Sequence, residues 1–317
     1  MVKKKILVAI IISLALIGLI SFIIVGVSAS VDADKACDNK LKIEEINRVP
    51  KSPSVICLSP SFVEIMYRIN CEDHIMAVTD GCDFPSDAKN LPNLGSSINL
   101  DWKLIEQLPI DIVMLTPAHT IEHVQSRKLG KKVIVGEVAS LDSIINTMWK
   151  VGVQFNKSDL VEQWVMDLDL SLTVLKKKAA LRDARGESAP RVLFVLDHSP
   201  DFSGKILVAG SKLFYNDVIV KAGGKNAYQG AVETFAMSFD ELVALKPDIV
   251  IDVVSPVDLA QRSDCESKIK TTWVERFSNY DNLDKIPKVV VFSETWARRP
   301  GPRVVELINN VGKIVFE

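Results

Sequence analysis

The chain opens on three lysines and an almost unbroken apolar run from Ile6 to Val27, closed by Ser28-Ala29-Ser30. After a polar, mixed stretch, short apolar blocks recur, each ending in a turn. Ser54 to Leu58 reads as a buried strand, and Ser59-Pro60-Ser61 turns into a helix over 61–70 with Phe62, Ile65, Met66 and Ile69 at helical spacing. Ile75 to Val78, Ile110 to Leu115 and Lys132 to Val135 read as further strands, with a helix-like stretch over 119–130. Residues 158–183 lack Pro and Gly and repeat Leu160, Trp164, Leu168, Leu172 and Leu175 at helical intervals. Ser158 is a good N-cap and Arg185-Gly186 ends the run. A helix of that length spans roughly 39 Å at 1.5 Å per residue, long enough to join two lobes. The alternation then restarts with a strand over 192–196, a helix over 211–222 closed by Gly223-Gly224, strands over 249–253 and 289–292, and a closing helix over 302–310. Alternating strands and helices predict parallel sheets covered by helices.

The expected fold is therefore α/β, with two Rossmann-like lobes joined by one long helix and a ligand cleft between them. The expected organisation is a leader over 1–30, a tether over 31–50, an N-terminal lobe over 51–157, the linking helix over 158–185 and a C-terminal lobe over 186–317. Lysines before an apolar stretch closed by small residues have the layout of an export signal, with Val27 and Ala29 fitting a cleavage point after Ala29. The run also reaches the roughly 20 residues that cross a bilayer, so an uncleaved membrane anchor is the alternative. Either way the rest of the chain is expected to work in the periplasm or otherwise outside the cytoplasm. No Leu-x-x-Cys follows the apolar run directly, and Cys37 lies well past it, which argues against a lipid-anchored cysteine. A formal net charge of −2 gives no electrostatic reason to expect nucleic acid as a partner. The five cysteines, Cys37, Cys57, Cys71, Cys82 and Cys265, permit two disulfides with one left over. The sequence does not choose the pairing, although Cys57, Cys71 and Cys82 lie close enough in the chain for a bridge among them.

Several turns follow predicted strands and are expected to face one cleft, because ligands of open α/β sheets sit beyond the carboxyl ends of the strands. They are Ser59 to Ser61, Asp80 to Pro85, Thr116 to His119, His198 to Phe202 and Glu294 to Arg299. Further marks accompany them: Leu58-Ser-Pro-Ser61, Glu64-Ile65, Ala77-Val78-Thr79 and Cys82-Asp-Phe-Pro85 in the first half. The second half has Lys221-Ala-Gly-Gly-Lys-Asn226, Ser238-Phe-Asp-Glu241, Lys246-Pro-Asp-Ile249 and the stretch Arg299-Pro-Gly-Pro before Arg303. In their order and spacing these marks resemble the substrate-binding proteins of ABC importers, and among them the cobalamin, ferric-siderophore and haem receptors whose lobes share one backbone helix. The resemblance covers roughly residues 52–317.

That resemblance implies a binding protein, not an enzyme. It would have no prosthetic group and would work as a monomer, handing a small-molecule metal chelate (iron–siderophore, corrinoid or haem) to an ABC permease in the membrane. It implies an acidic residue on each lobe that docks the permease: Asp240 in the C-terminal lobe, and Asp101 as the nearest N-terminal candidate, since Lys103 stands where the acid is expected. Asp240 reads equally well as a helix N-terminal acid favoured by the helix dipole. Aromatics expected in the cleft are missing at Gly81, Thr116 and Thr234. The remaining ligand candidates are Trp296 and Arg299, with Ser61, Phe84, Phe202, Tyr215 and Arg298. Arg298, Arg299 and Arg303 could together neutralise an anionic chelate, although Arg303 reads better as a structural residue on the last helix.

His119 and His123 stand four apart with Glu122 between them, a metal-ligand spacing if all lie on one helix face. They support an alternative reading as a receptor for zinc or manganese ions, and a weaker one as a membrane-anchored metal-dependent hydrolase. His74 and His198 are isolated and read as structural or solvated. No Gly-x-Ser-x-Gly elbow, phosphate-cradling Gly-rich loop or Cys-x-x-Cys pair is present, so the expectation is binding without catalysis.

Overall fold

The computed structural model describes residues 50–317 apart from positions 98, 256–258, 260–264, 281, 282 and 284. The leader, Cys37 and the tether up to residue 49 lie outside the described residues. The first lobe is built on β1 (Val55–Cys57), β2 (Ile75–Val78), β3 (Ile112–Leu115) and β4 (Lys132–Val135), all parallel and ordered β2-β1-β3-β4. Strands β2 and β3 are buried at every position, the signature of parallel strands covered on both faces. Helix α1 (Pro60–Arg68) starts on a proline, whose missing N–H costs nothing there. The segment Asp101–Pro109 does not belong to the compact unit formed by Pro50–Leu100 and Ile110–Glu317. Its short helix α2 (Trp102–Gln107) is capped by Asp101, which accepts from the backbone N–H of Lys103 at 3.0 Å and of Leu104 at 3.2 Å. Helices α3 (Thr120–Lys128) and α4 (Leu141–Gln154) complete the lobe, α4 beginning in a capping box between Ser140 and Ser143.

The predicted long helix is α5 (Ser158–Ala184). Its N-cap is Lys157, not Ser158, and no side chain caps it; Asp159 in the first turn complements the dipole instead. Val161, Trp164, Leu168 and Leu175 form its buried stripe. The second lobe carries β5 (Arg191–Asp197), β6 (Ile206–Ala209), β7 (Lys225–Asn226), β8 (Thr234–Met237), β9 (Ile249–Val253) and β10 (Lys288–Phe292), ordered β10-β9-β5-β6-β8 with β7 beside β5. One of these strands departs from the expected all-parallel sheet. Among the described residues β5, β9 and β10 run parallel, but β6 is antiparallel to both β5 and β8, and neither β6 nor β8 was legible as a strand. The lobe's helices are α6 (Phe214–Lys221), α7 (Phe239–Ala244), α8 (Glu266–Ser278) and α9 (Val304–Phe316). Side chains of β5 alternate between two cores, Val192 and Phe194 in one and Leu193 and Val195 in the other. The first of these cores also takes in Val55, Cys57 and Met114 of the first lobe and Trp164 and Leu168 of α5, so one apolar cluster runs through both lobes.

The two lobes repeat a single construction. The Asp111 carboxylate accepts from the backbone N–H of Ser54 at 2.7 Å, and the Asp248 carboxylate accepts from that of Arg191 at 2.7 Å, with 57 residues between partners in each case. The strand registers repeat the same offset, Val55 opposite Ile112 and Val192 opposite Ile249. In both lobes an Asp-Ile-Val sequence places a carboxylate at the foot of one strand, where it clamps the start of its parallel neighbour through a charge-assisted hydrogen bond.

The expected disulfide among Cys57, Cys71 and Cys82 is absent. These three thiols are unbridged and buried, and Cys265 is exposed. Burial pushes the Cys57 thiol well up and the Cys82 thiol up to about 11, as it must where a thiolate would lose its hydration.

Candidate ligand cleft

A cavity of about 620 Å³ opens between the lobes at the carboxyl ends of their strands. On the first lobe it is lined by Thr116, Pro117 and Ala118 after β3 and by Glu137, Val138 and Ala139 after β4. On the second it is lined by Leu196 and Val253 at the ends of β5 and β9, Leu213, Phe214 and Tyr215 at the start of α6, Glu233, Arg298 and Pro300. The position is the one that open parallel sheets dictate, and the walls are mainly apolar with a few polar groups, the usual make-up of a small-molecule pocket.

Three contacts tie the lobes together, and a fourth ties α5 to the second lobe. Glu64 of α1 is 4 % exposed and takes a two-pronged hydrogen bond from Arg303, at 2.9 Å for Nε to Oε2 and through Nη2 to Oε1. Arg299 pairs with Asp83 and lies 3.8 Å from Glu64. Trp164 Nε1 donates to the carbonyl of Pro302 at 2.9 Å. The Asp217 carboxylate accepts from the N–H of Leu141, the first residue of α4, at 2.8 Å. With α5 and the shared apolar cluster, these contacts restrain hinge motion.

Tyr215 and Arg298 lie in the wall of the cavity. Tyr215 is buried, donates its hydroxyl to the carbonyl of Ala297 at 2.8 Å, and has its phenol pushed well up by burial. The Arg298 guanidinium donates to the carbonyl of Val253 at 2.9 Å. The other expected ligand residues stand elsewhere. Phe202 is 3 % exposed in the second lobe's own core, stacked on His198 at 4.5 Å and beside Trp273 at 4.3 Å, with its backbone at a positive φ of 55°. Phe84 lies under the Arg303 guanidinium, 3.7 Å from its ring centre, in a separate hollow that also has Trp164 in its wall. Trp296 packs half-buried against Phe292 at 5.1 Å. Ser61 is buried in the first turn of α1. The expected cluster of three guanidinium charges is divided: Arg299 and Arg303 are neutralised by Asp83 and Glu64, and only Arg298 faces the cavity.

His119 is not on the helix face but is the N-cap residue of α3, 7 % exposed. Its Nδ1 lies 3.3 Å from the Thr116 backbone N–H and 2.9 Å from the Thr116 hydroxyl, so that nitrogen is occupied inside the protein. The side chain of His123 lies outside the described residues. Among the described residues no group of three His, Cys, Asp or Glu side chains is placed to hold a metal ion. His198, isolated in the sequence, is buried against Asp252 with Nε2 to Oδ2 at 2.8 Å. Asp240 is exposed in the first turn of α7 and accepts from the Tyr280 hydroxyl, while Asp101 caps its own helix.

Sequence reasoning missed Glu137, Val138, Leu196, Leu213, Phe214 and Glu233. The rule that found Thr116 and Arg298 would have found Glu137 and Val138, since they directly follow β4.

No family model matches the chain. It is 21 % identical over 280 residues to the uncharacterized ABC transporter substrate-binding lipoprotein YvrC of Bacillus subtilis, covering 86 % of this chain and 82 % of that protein. It is 22 % identical over 264 residues to the vitamin B12-binding protein of Vibrio vulnificus, covering 81 % and 88 %. Its fold matches the crystal structure of a periplasmic heme binding protein from Pseudomonas aeruginosa with a TM-score of 0.68 at 19 % identity, covering 83 % of this chain and 92 % of that one. These relatives are binding proteins, in line with a chain that carries no catalytic motif. The chain is a homologue of the substrate-binding proteins of ABC transporters and has the two-lobe α/β fold of the periplasmic haem- and vitamin B12-binding proteins.

Proposed function

We propose that this chain captures a metal chelate in the cleft between its lobes and delivers it to the permease of an ABC importer. The observation that carries the reading is the mainly apolar cavity at the carboxyl ends of both sheets, in a chain whose homologues are ABC-transporter substrate-binding proteins. Tyr215 offers an apolar wall held rigid by its bond to Ala297, and Arg298 offers a charged donor. The struts around the cavity keep it largely pre-formed, so little binding energy goes into closing the lobes. The leader places the protein outside the cytoplasm. Among the described residues no helix is long and apolar enough to cross a membrane.

Asp240 is the docking acid on the second lobe, and Asp101 is the counterpart from the first. The capping box between Ser238 and Glu241 holds the start of α7 without help from Asp240, so Asp240 can be changed while the helix stays formed. Asp240→Ala is expected to leave chelate affinity within about twofold, because the side chain does not line the cavity, while lowering transport. Uptake by vesicles carrying the cognate permease, compared with affinity from a visible-absorbance titration, checks both halves. Loss of affinity with unchanged docking would remove Asp240 from this role.

A further inference from the structure

The charge around the cleft runs against the anionic ligand that the arginine run suggested. Glu137 enters from the first lobe and Glu233 from the second, and both line the same cavity. Both residues are exposed, and neither carboxylate has a side-chain partner among the described residues. Arg298 is the one cation among the described lining residues, and it is tethered to the Val253 carbonyl. The nearby guanidiniums do not redress the balance, since Arg299 is paired with Asp83 and Arg303 with Glu64. The cavity therefore presents apolar walls, two acceptor groups on opposite sides and a net charge of one minus.

Resting on the proposal that this cavity holds the chelate, we infer that Glu137 and Glu233 are specificity-determining residues. They select chelates that are uncharged or cationic and carry N–H donors at opposite edges, and they turn away chelates edged with carboxylates or bearing net negative charge. A carboxylate accepts from an amide or ammonium edge in a charge-assisted bond. The same group meeting a ligand carboxylate in a cleft emptied of water is a like-charge contact, and discrimination comes from that repulsion as much as from the attraction.

The test compares four probes on the full chain purified in detergent: cyanocobalamin, uncharged with amide edges; ferrioxamine B, cationic; haemin, with two carboxylates; and ferric enterobactin, anionic. Each is titrated by visible absorbance against the wild type and against Glu137→Gln combined with Glu233→Gln. The substitutions keep size and one acceptor at exposed positions, and a melting curve verifies that the variant is folded. The expected result is that one of the first two probes binds more tightly than either of the last two by roughly tenfold or more, and that the double variant closes that gap by a similar factor. An anionic probe that binds as tightly as the others, or a gap that survives both substitutions, overturns the charge selection and leaves the chelate reading standing. Binding of none of the four removes the chelate reading and this inference with it.

Discussion

Glu64→Ala is expected to lower the thermal midpoint of the chain by roughly 10 °C. Glu64 and Arg303 are 4 % and 8 % exposed, and the two-pronged bond between them crosses from α1 of the first lobe to the start of α9 in the second. Arg303 is further fixed by the Thr295 hydroxyl at 3.2 Å and by the Phe84 ring beneath it. Removing one partner of a buried pair leaves an uncompensated charge and typically costs about 3–5 kcal/mol, far more than the pair's net worth against an apolar replacement. At about 2–4 °C per kcal/mol for a chain of this size, that loss produces the stated shift. The comparison that isolates the cause is Glu64→Leu combined with Arg303→Met, which removes both charges and should recover most of the midpoint. Scanning calorimetry of the three proteins makes the measurement. A midpoint within about 2 °C of wild type for Glu64→Ala would mean that the strut carries little of the stability.

A second loss of similar size is expected from Asp252→Ala in the core of the second lobe. Asp252 is 1 % exposed on β9, and its Oδ2 accepts from Trp273 Nε1 at 2.8 Å as well as meeting His198 Nε2 at 2.8 Å. The other ring nitrogen of His198 lies 2.8 Å from the carbonyl of Ser199, which can only accept, so Nδ1 carries its hydrogen. Alanine here removes a buried acceptor from both the imidazole and the indole N–H, at a cost of about 3–5 kcal/mol. Asp252→Asn keeps an oxygen acceptor and should cost less. Trp273 also packs on Phe202 and Phe239, so the near-ultraviolet circular dichroism of the aromatic cluster should weaken along with the midpoint. An unchanged aromatic spectrum and midpoint in Asp252→Ala would show that the cluster holds itself together without the carboxylate.

Where local pattern determines structure, the sequence was readable. Ile75–Val78, Lys132–Val135 and Ile249–Val253 are short, mainly apolar runs that stand as strands with those bounds, and α5 follows its periodic stripe to within a residue or two. The pair β6 and β8 escaped because β8 is exposed along most of its length and has no apolar alternation to mark it. The cleft was half legible. The rule that places ligands beyond strand ends located Thr116 and Arg298, and Arg303 is the structural residue it reads as, but Arg299 is drawn off the cavity by a partner, Asp83, that lies 216 residues away. His119 and His198 show the same limit, since one hydrogen-bonds within its own turn and the other bonds a carboxylate 54 residues distant. Local pattern carries secondary structure, whereas charge pairing depends on contacts that only the folded chain supplies.

The central claim is that the chelate sits in the cavity between the lobes. Crystals of the chain grown with a bound cobalt or iron chelate would locate the metal by anomalous scattering at its absorption edge. The account predicts a single strong peak inside the cavity bounded by Thr116 and Val138 on one side and Phe214 and Arg298 on the other. A peak beside His119, or one in the separate hollow at Phe84, would contradict it.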